Sequence, residues 1–390
     1  MRKLPKKLKA KLTDREAKNA LRTLQKEQGL VDFSSNDYLG FAKNNEILDR
    51  AGQWLAQRQI LRNGATGSRL LSGNHAVYEA LETSLCSFHK TEAALVFNSG
   101  YDANLGFFSA IPQRGDVVFY DEYIHASIRD GLNMGNAKKY KFKHNDLADL
   151  KAKISSLGTT QLPDDSMEIY VVTEAVFSMD GDSPELLSFV EFCEENNHNL
   201  VVDEAHSVGV FGANGSGMLQ QLGLHRRVFA SIVTFGKALG VHGAAVLGCK
   251  PLKSYLVNFA RSLIYTTAMP PHSVASIIAA YEYLQTKEGI DSKQKLHENI
   301  AIFNQQLQFH NLQELFVGSN SAIQCCILSG NEKTKAVALR IQGNGFDVRP
   351  ILSPTVPIGE ERLRFCLHSY NTEKEIKEVV QLLANFNKKK

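Results

Sequence analysis

Lys237 stands in the segment TFGKALG directly after the strand-like run SIVTF, so it would leave a strand end and project into the space beyond. Thr234 lies three residues before it, and Gly236, Ala238 and Gly240 flank it with groups small enough for a planar molecule to approach the backbone. Asp203 closes the apolar run NLVV, and His206 follows three residues later. A carboxylate at the tip of a buried strand needs a cationic partner, because burying it alone is costly. Ser99, Gly100 and Tyr101 follow ALVFN and open the helical DANLGFFSAI, a strand–turn–helix arrangement whose first N–H groups suit a phosphate. His125 in DEYIHASIRDG is an imidazole that could cover a flat ring, and Ser178 in FSMDGD could add a polar contact.

One chemistry uses all of these parts. Pyridoxal phosphate (PLP) needs a lysine for its aldehyde, an acid to keep its pyridine nitrogen protonated, and hydroxyls and N–H groups for its phosphate. Asp203, His206, Thr234 and Lys237 fall within 35 residues, on the ends of two successive strands. Each also has a plainer reading: a surface lysine in a turn, an aspartate capping the next turn, a structural histidine, a turn serine. The glycine-rich VGVFGANGSG lacks the G-x-G-x-x-G spacing, and no GxxxxGK[ST] is present, so neither a dinucleotide nor a nucleoside triphosphate site is expected.

The elements that must position these residues follow from periodicity. Short apolar, β-branched runs (EAALVFNSG, DVVFYDE, EIYVVTEAVF, NLVVDEAH, FASIVTFG, GAAVLG) alternate with amphipathic stretches such as VYEALETSLCSFHK and ELLSFVEFCEENN. Alternation of this kind predicts an α/β domain around a mostly parallel sheet, with ligands at the carboxyl ends of the strands. Beyond about residue 280 long helical patterns flank a few strands, SAIQCCILSG and RLRFCLH among them, which predicts a smaller α+β C-terminal domain. The expected division is an N-terminal segment over 1–45, a large PLP-binding domain over 46–280 and a small domain over 281–390.

Composition excludes several classes. The 390 residues are 43% hydrophobic with a net charge of +3, which gives no reason to expect nucleic acid. No apolar run approaches the roughly 18 residues of a membrane span. Basic residues gather at the termini, in MRKLPKKLKAKL and at Lys388, Lys389 and Lys390, and read as solvated terminal helix because no apolar signal core accompanies them. The six cysteines are scattered, without CxxC pairs or metal-ligand spacing, so no metal is expected and a cytoplasmic setting is the default.

Over nearly its whole length the chain resembles the α-oxoamine synthases of PLP fold type I. The motifs that carry the resemblance are FSSNDYLG, SGYDAN, TEAVFSMDGD, VDEAHSVGVFG, VTFGKALGVHGAAVLG, FARSLIYTTAMPP and PTVPIGEERLR. The resemblance implies Lys237 as the cofactor-bonding lysine, Asp203 as the pyridine-nitrogen partner and His125 as the stacking residue. Gly100, Tyr101, Ser178, His206 and Thr234 would be further cofactor contacts, and Arg22, Asn36, Thr355 and Arg364 substrate-side positions. Arg364 would clamp the amino acid's carboxylate, which a guanidinium fork suits. The implied reaction is a decarboxylative condensation of an amino acid, L-alanine in the branch most alike, with an acyl thioester such as pimeloyl-CoA or pimeloyl acyl carrier protein, in a homodimer. Sister branches using glycine (glycine C-acetyltransferase) or serine (serine palmitoyltransferase-like), a non-catalytic partner subunit of the same fold, and a generic PLP aminotransferase, which would need no thioester site and lose no CO₂, are the alternatives. Two departures bear on the acyl chain: the short segment TLQKEQGLVD lacks a hairpin that many members carry, and Leu352 and Ser353 stand where several members place an arginine, the nearest here being Arg349.

Overall fold

The computed structural model describes residues 3–18, 20–24, 29–157 and 167–387; the closing lysines 388–390 lie outside them. Its strands, in chain order, are β1 Val31–Asp32, β2 Ala93–Phe97, β3 Val117–Asp121, β4 Lys138–Phe142, β5 Ile169–Glu174, β6 Asn199–Asp203, β7 Ala230–Thr234, β8 Ala244–Gly248, β9 Ile323–Ile327, β10 Phe346–Asp347, β11 Arg349–Ile351 and β12 Arg362–Cys366. By contact the chain forms two compact units. One comprises the described residues within 36–178 and 182–296, the other those within 1–35, 179–181 and 297–390.

The larger unit is built on a seven-stranded sheet of order β2-β8-β7-β6-β5-β3-β4. Pairing is parallel from β7 through β6, β5 and β3 to β4, while β8 runs antiparallel to both β7 and β2. Alternate residues of one strand feed opposite faces, as the pleat requires. Val118, Val172, Val201 and Ile232 join a core with Phe107 and Ile128, from the helices Gly100–Ala110 and Ala126–Met134. Val117, Val171, Leu200 and Val202 join another with Leu150 and Phe189, from the helices Leu147–Ser156 and Leu186–Glu195. With both faces covered, the strands read as apolar runs, and burying one such side chain is worth about 1.5–3 kcal/mol. Strand β4, KKYKF, is the exception: all but Phe142 are exposed at the sheet edge, where lysines discourage pairing with another chain.

In the smaller unit β9, β12 and β11 form an antiparallel sheet of order β11-β12-β9, and β1 pairs with β10 in parallel. The N-terminal residues belong here because they are sewn in by hydrogen bonds: Cys366 N–H donates to the Phe33 carbonyl at 2.8 Å, and Val31 N–H to that of Gly345 at 2.8 Å. The basic opening segment is a helix, Lys6–Ala17, with no buried residue. All six cysteines are free. No helix among the described residues is long and apolar enough to cross a membrane.

Candidate active site

The carboxyl ends of β5, β6 and β7 carry Glu174, Asp203 and Thr234, and the chain turns from Thr234 into Lys237. The Lys237 amine lies 2.6 Å from His206 Nε2, and His206 Nδ1 lies 2.7 Å from the Tyr38 hydroxyl, which donates to Asn36 Oδ1 at 3.1 Å. With the lysine charged it can only donate. His206 then accepts at Nε2 and donates from Nδ1 to Tyr38, so one hydrogen-bond chain runs from Lys237 to Asn36.

Asp203 is buried, and both of its oxygens are engaged. Asn104 Nδ2 donates to Oδ2 at 2.9 Å and Ala205 N–H to Oδ1 at 2.9 Å. Asn104 Nδ2 also reaches Ser127 Oγ at 3.0 Å, and Ser127 lies 2.7 Å from His125 Nδ1. Asp203, Asn104, Ser127 and His125 are thereby one connected set. Burial, then the charge of Lys237, holds the His125 imidazole below its usual value against the pull of Asp203.

Glu174 is the register partner of Asp203 across β5 and β6, and its Oε1 accepts the His125 N–H at 2.5 Å. Burial, reinforced by the charge of Asp203, pushes its carboxyl up to about 8. It therefore carries its proton at neutral pH while holding the loop that presents His125.

The helix Gly100–Ala110 is capped by Ser99, whose Oγ accepts the Asp102 N–H at 3.1 Å. Its first N–H groups have no partner within the helix, as at any helix start. A Cβ at Gly100 would lie 2.7 Å from Thr234 Oγ1, so glycine is what lets this helix start approach the threonine hydroxyl. Tyr101 is exposed and its hydroxyl donates to Asp130 at 2.5 Å; Ser178 is half-buried, beside buried Phe177.

Two of the small residues around Lys237 are packed closely against other parts of the chain. Gly240 has φ +63° and a Cβ there would meet Ala42 N at 2.2 Å, while Ala238 fills the space over Gly209, whose own Cβ would lie 2.5 Å from it. Ala238 and Gly240 accommodate the chain itself. The glycine-rich segment is likewise a packed loop, held by Lys293 Nζ on the carbonyls of Gly212 and Ala213, each at 2.6 Å.

The smaller unit brings another predicted pair together: Arg22 Nη2 donates to Thr355 Oγ1 at 3.3 Å, both residues exposed. Arg364 on β12 is buried and donates to Cys366 Sγ at 2.8 Å. Near it Arg362 pairs with Asp180 and donates to the Met179 carbonyl at 3.2 Å.

Tyr38, Asn104, Ser127 and Glu174 went unmarked in the sequence. Glu174 shares the feature that marked Asp203, a carboxylate at the tip of a buried strand. Asn104 lies one helical turn from Gly100, on the side of the helix that meets the strand tips. Nothing in local spacing marks Tyr38, which reaches His206 across 168 residues.

The parts fit pyridoxal phosphate. An amine, a buried carboxylate held by two donors, a neutral imidazole and a helix start beside a hydroxyl occur on neighbouring strand ends. The model for aminotransferase class I and II matches residues 28–383. The chain belongs to that family. It is 41% identical to the 8-amino-7-oxononanoate synthase of Emericella nidulans, over 91% of this chain and 89% of the relative. Among solved structures, a serine palmitoyltransferase variant from S. paucimobilis with bound PLP-myriocin aldimine matches with a TM-score of 0.86 at 26% identity, covering 98% of this chain and 97% of that one. The 8-amino-7-oxononanoate synthase of Francisella tularensis matches with a TM-score of 0.77 at 27% identity, covering 93% and 99%. PLP fold type I, expected from the strand–helix alternation and the motifs, is the fold of this family.

Proposed function

We propose that this chain is a PLP-dependent C-acyltransferase that joins L-alanine to a pimeloyl thioester, on CoA or on an acyl carrier protein, giving 8-amino-7-oxononanoate, carbon dioxide and free thiol in biotin biosynthesis. The observation that carries the reading is the Lys237 amine, 2.6 Å from His206, in the turn after β7, beside a strand whose tip is the buried, doubly anchored Asp203. The similarity to the Emericella enzyme supports the choice of substrate.

In this reading the residues divide the work. Asp203 holds the pyridine nitrogen protonated, and Asn104 and Ala205 keep the carboxylate aimed. Thr234 and the first N–H groups of the helix at Gly100 and Tyr101 take the phosphate; His125 lies against the ring; Ser178 and His206 add polar contacts. When bound, PLP supplies an electron sink that makes the Cα–H of the amino acid acidic. With PLP bound, Lys237 would hold its aldehyde carbon and, once an amino acid had taken that place, would be the base for the Cα proton, work of a kind that contributes about 10²–10⁴-fold. Arg364 clamps the carboxylate, with Asn36, Arg22 and Thr355 on the substrate side. The Cα then bonds to the thioester carbonyl as the thiolate leaves, the carboxylate departs as CO₂, and a proton returns to Cα. We further infer a cytoplasmic homodimer from the family resemblance and the cysteine pattern, which light scattering on the purified protein checks for assembly.

Purified protein with PLP should show the visible band of a lysine-bound cofactor, and Lys237→Ala should lose it; a colourless wild type refutes the reading. A panel of L-alanine, glycine and L-serine against pimeloyl-CoA and pimeloyl carrier protein, read by thiol release, tests the substrates. A serine-using reading stands second, favoured by the higher TM-score to serine palmitoyltransferase, 0.86 against 0.77. Clear preference for serine with a long-chain acyl-CoA would replace the alanine assignment with it.

A further inference from the structure

His144 lies in the turn between β4 and the helix Leu147–Ser156, on the carboxyl side of the sheet, and the proposed mechanism makes no use of it. Its Nδ1 is 2.9 Å from Asp121 Oδ1 and its Nε2 is 2.8 Å from Asp182 Oδ2. The ring is stacked on Tyr123 (centroids 4.5 Å, planes 29° apart) and meets Phe177 edge-on at 4.5 Å. Ionised carboxylates only accept, so both ring nitrogens donate and the ring is an imidazolium. Burial opposes that charge, but the hydrogen bonds and charges of Asp121 and Asp182 outweigh it and raise the imidazole to about 10.

The two carboxylates belong to the loops that carry proposed cofactor contacts. Asp121 is fully buried and ends β3; its Oδ1 also accepts the Tyr123 N–H at 2.8 Å, which shapes the turn leading to His125. Asp182 closes the loop after β5: its carbonyl accepts the Phe177 N–H at 3.0 Å, and Ser178 is the next residue. Asn145, with φ +53°, reinforces both, its N–H on Asp121 Oδ2 at 2.7 Å and its Nδ2 on Asp182 Oδ2 at 2.9 Å. Asp203 is held by Asn104 and Ala205, and Lys237 lies against His206; none of these is a hydrogen-bond partner of His144.

We propose that His144 is a positioning residue: as a charged staple between Asp121 and Asp182 it fixes the loops after β3 and β5, and through them the placement of His125 and Ser178 against the cofactor. The inference rests on the PLP reading above. It separates the attachment of PLP, which needs Lys237, from the tightness and geometry of its seating, which need His144.

The test uses the full chain, with PLP itself as the probe. His144→Gln should still develop the visible band, with a PLP dissociation constant raised at least about tenfold, the effect of a lost charge-assisted hydrogen bond, and altered visible circular dichroism of the bound cofactor. Asp182→Asn is the milder variant. It removes one of the two charges that keep the ring protonated, leaving the buried Asp121 on β3. Other charged groups here are Glu122, whose Oε1 accepts the His144 N–H at 3.3 Å, its partner Lys141 on β4 at 3.7 Å, Lys143 and Asp146 in the turn itself, and Asp149, whose Oδ2 accepts the Lys143 N–H at 2.8 Å. In this variant the ring should titrate in the ordinary histidine range, so the loss of PLP affinity relative to wild type should grow several-fold from about pH 6 to about pH 8.5. A merely structural role would give a pH-independent loss, if any. Dissociation constants within twofold of wild type in both folded variants, or a loss in Asp182→Asn that does not change with pH, overturn the proposal. Should His144→Gln fail to fold, Asp182→Asn decides. A wild type that takes up no PLP refutes the cofactor reading instead.

Discussion

Replacing Glu174 with Gln should make stability less sensitive to alkaline pH, and the size of the effect follows from the burial of the carboxyl. Folded, Glu174 sits at about 8 against 4.5 for an ordinary Glu side chain. Folding takes up a proton at this group whenever the pH lies between those values. The stabilisation is therefore complete below the unfolded value and is lost as the pH rises through the folded one. At about 1.4 kcal/mol per pKa unit, the wild type should lose about 3 kcal/mol through this group between pH 5 and pH 7.5. Gln keeps the acceptor for the His125 N–H and cannot ionise. Urea unfolding of cofactor-free wild type and Glu174→Gln across that range isolates the group, because other titrations cancel in the difference. The difference should move in favour of the variant by about 3 kcal/mol from the acid to the alkaline end. A difference constant to within about 0.5 kcal/mol would mean that Glu174 is already ionised in the folded chain, and the account of a proton-bearing carboxyl beside Asp203 would fail.

Other substitutions test separate parts of the site. Gly100→Ala places a Cβ 2.7 Å from Thr234 Oγ1 and should weaken PLP binding about tenfold with little change in the unfolding midpoint, read by absorbance titration. Asn104→Leu removes the donor to Asp203 Oδ2 and to Ser127, and should cost about 1–3 kcal/mol in urea unfolding. Arg362→Met removes the guanidinium that pairs with buried Asp180, for a loss of about 3–5 kcal/mol by the same measurement. Restoring stability in Arg362→Met by adding Asp180→Leu would confirm that breaking this ion pair is the cause.

What could be read from the sequence was whatever the sheet imposes locally. Strands β2, β5, β6 and β7 stand out as apolar runs, and the tips of β6 and β7 pointed to Asp203, Thr234 and Lys237. Strand β4 did not stand out because an edge strand obeys the opposite rule: KKYKF is exposed and charged where the others are apolar. The staple at His144 was hidden for a related reason. Its partners lie 23 and 38 residues away on separate loops, and only the parallel order β5-β3-β4 makes those loops neighbours. Ala238 and Gly240 have a packing role that local sequence does not show, because their partners Gly209 and Ala42 are distant in sequence.

The antiparallel strand β8 also sets the order in which the protein can be completed during synthesis. Among the described residues, strand β2, the apolar AALVF, has β8 as its sole neighbour in the sheet, and β8 leaves the ribosome about 150 residues later, a delay of roughly 8–30 s at cellular elongation rates. Until then Ala93–Phe97 is a sticky segment without a partner, and the helix start at Gly100 has no Thr234 to face. When Ala244–Gly248 emerges it slots between β7 and β2, closing the sheet and uniting the phosphate end of the site with the lysine end in one event. Nascent chains stalled just short of residue 244 should therefore lean on chaperones and bind no PLP, whereas chains stalled well beyond residue 260 should have the seven-stranded sheet closed.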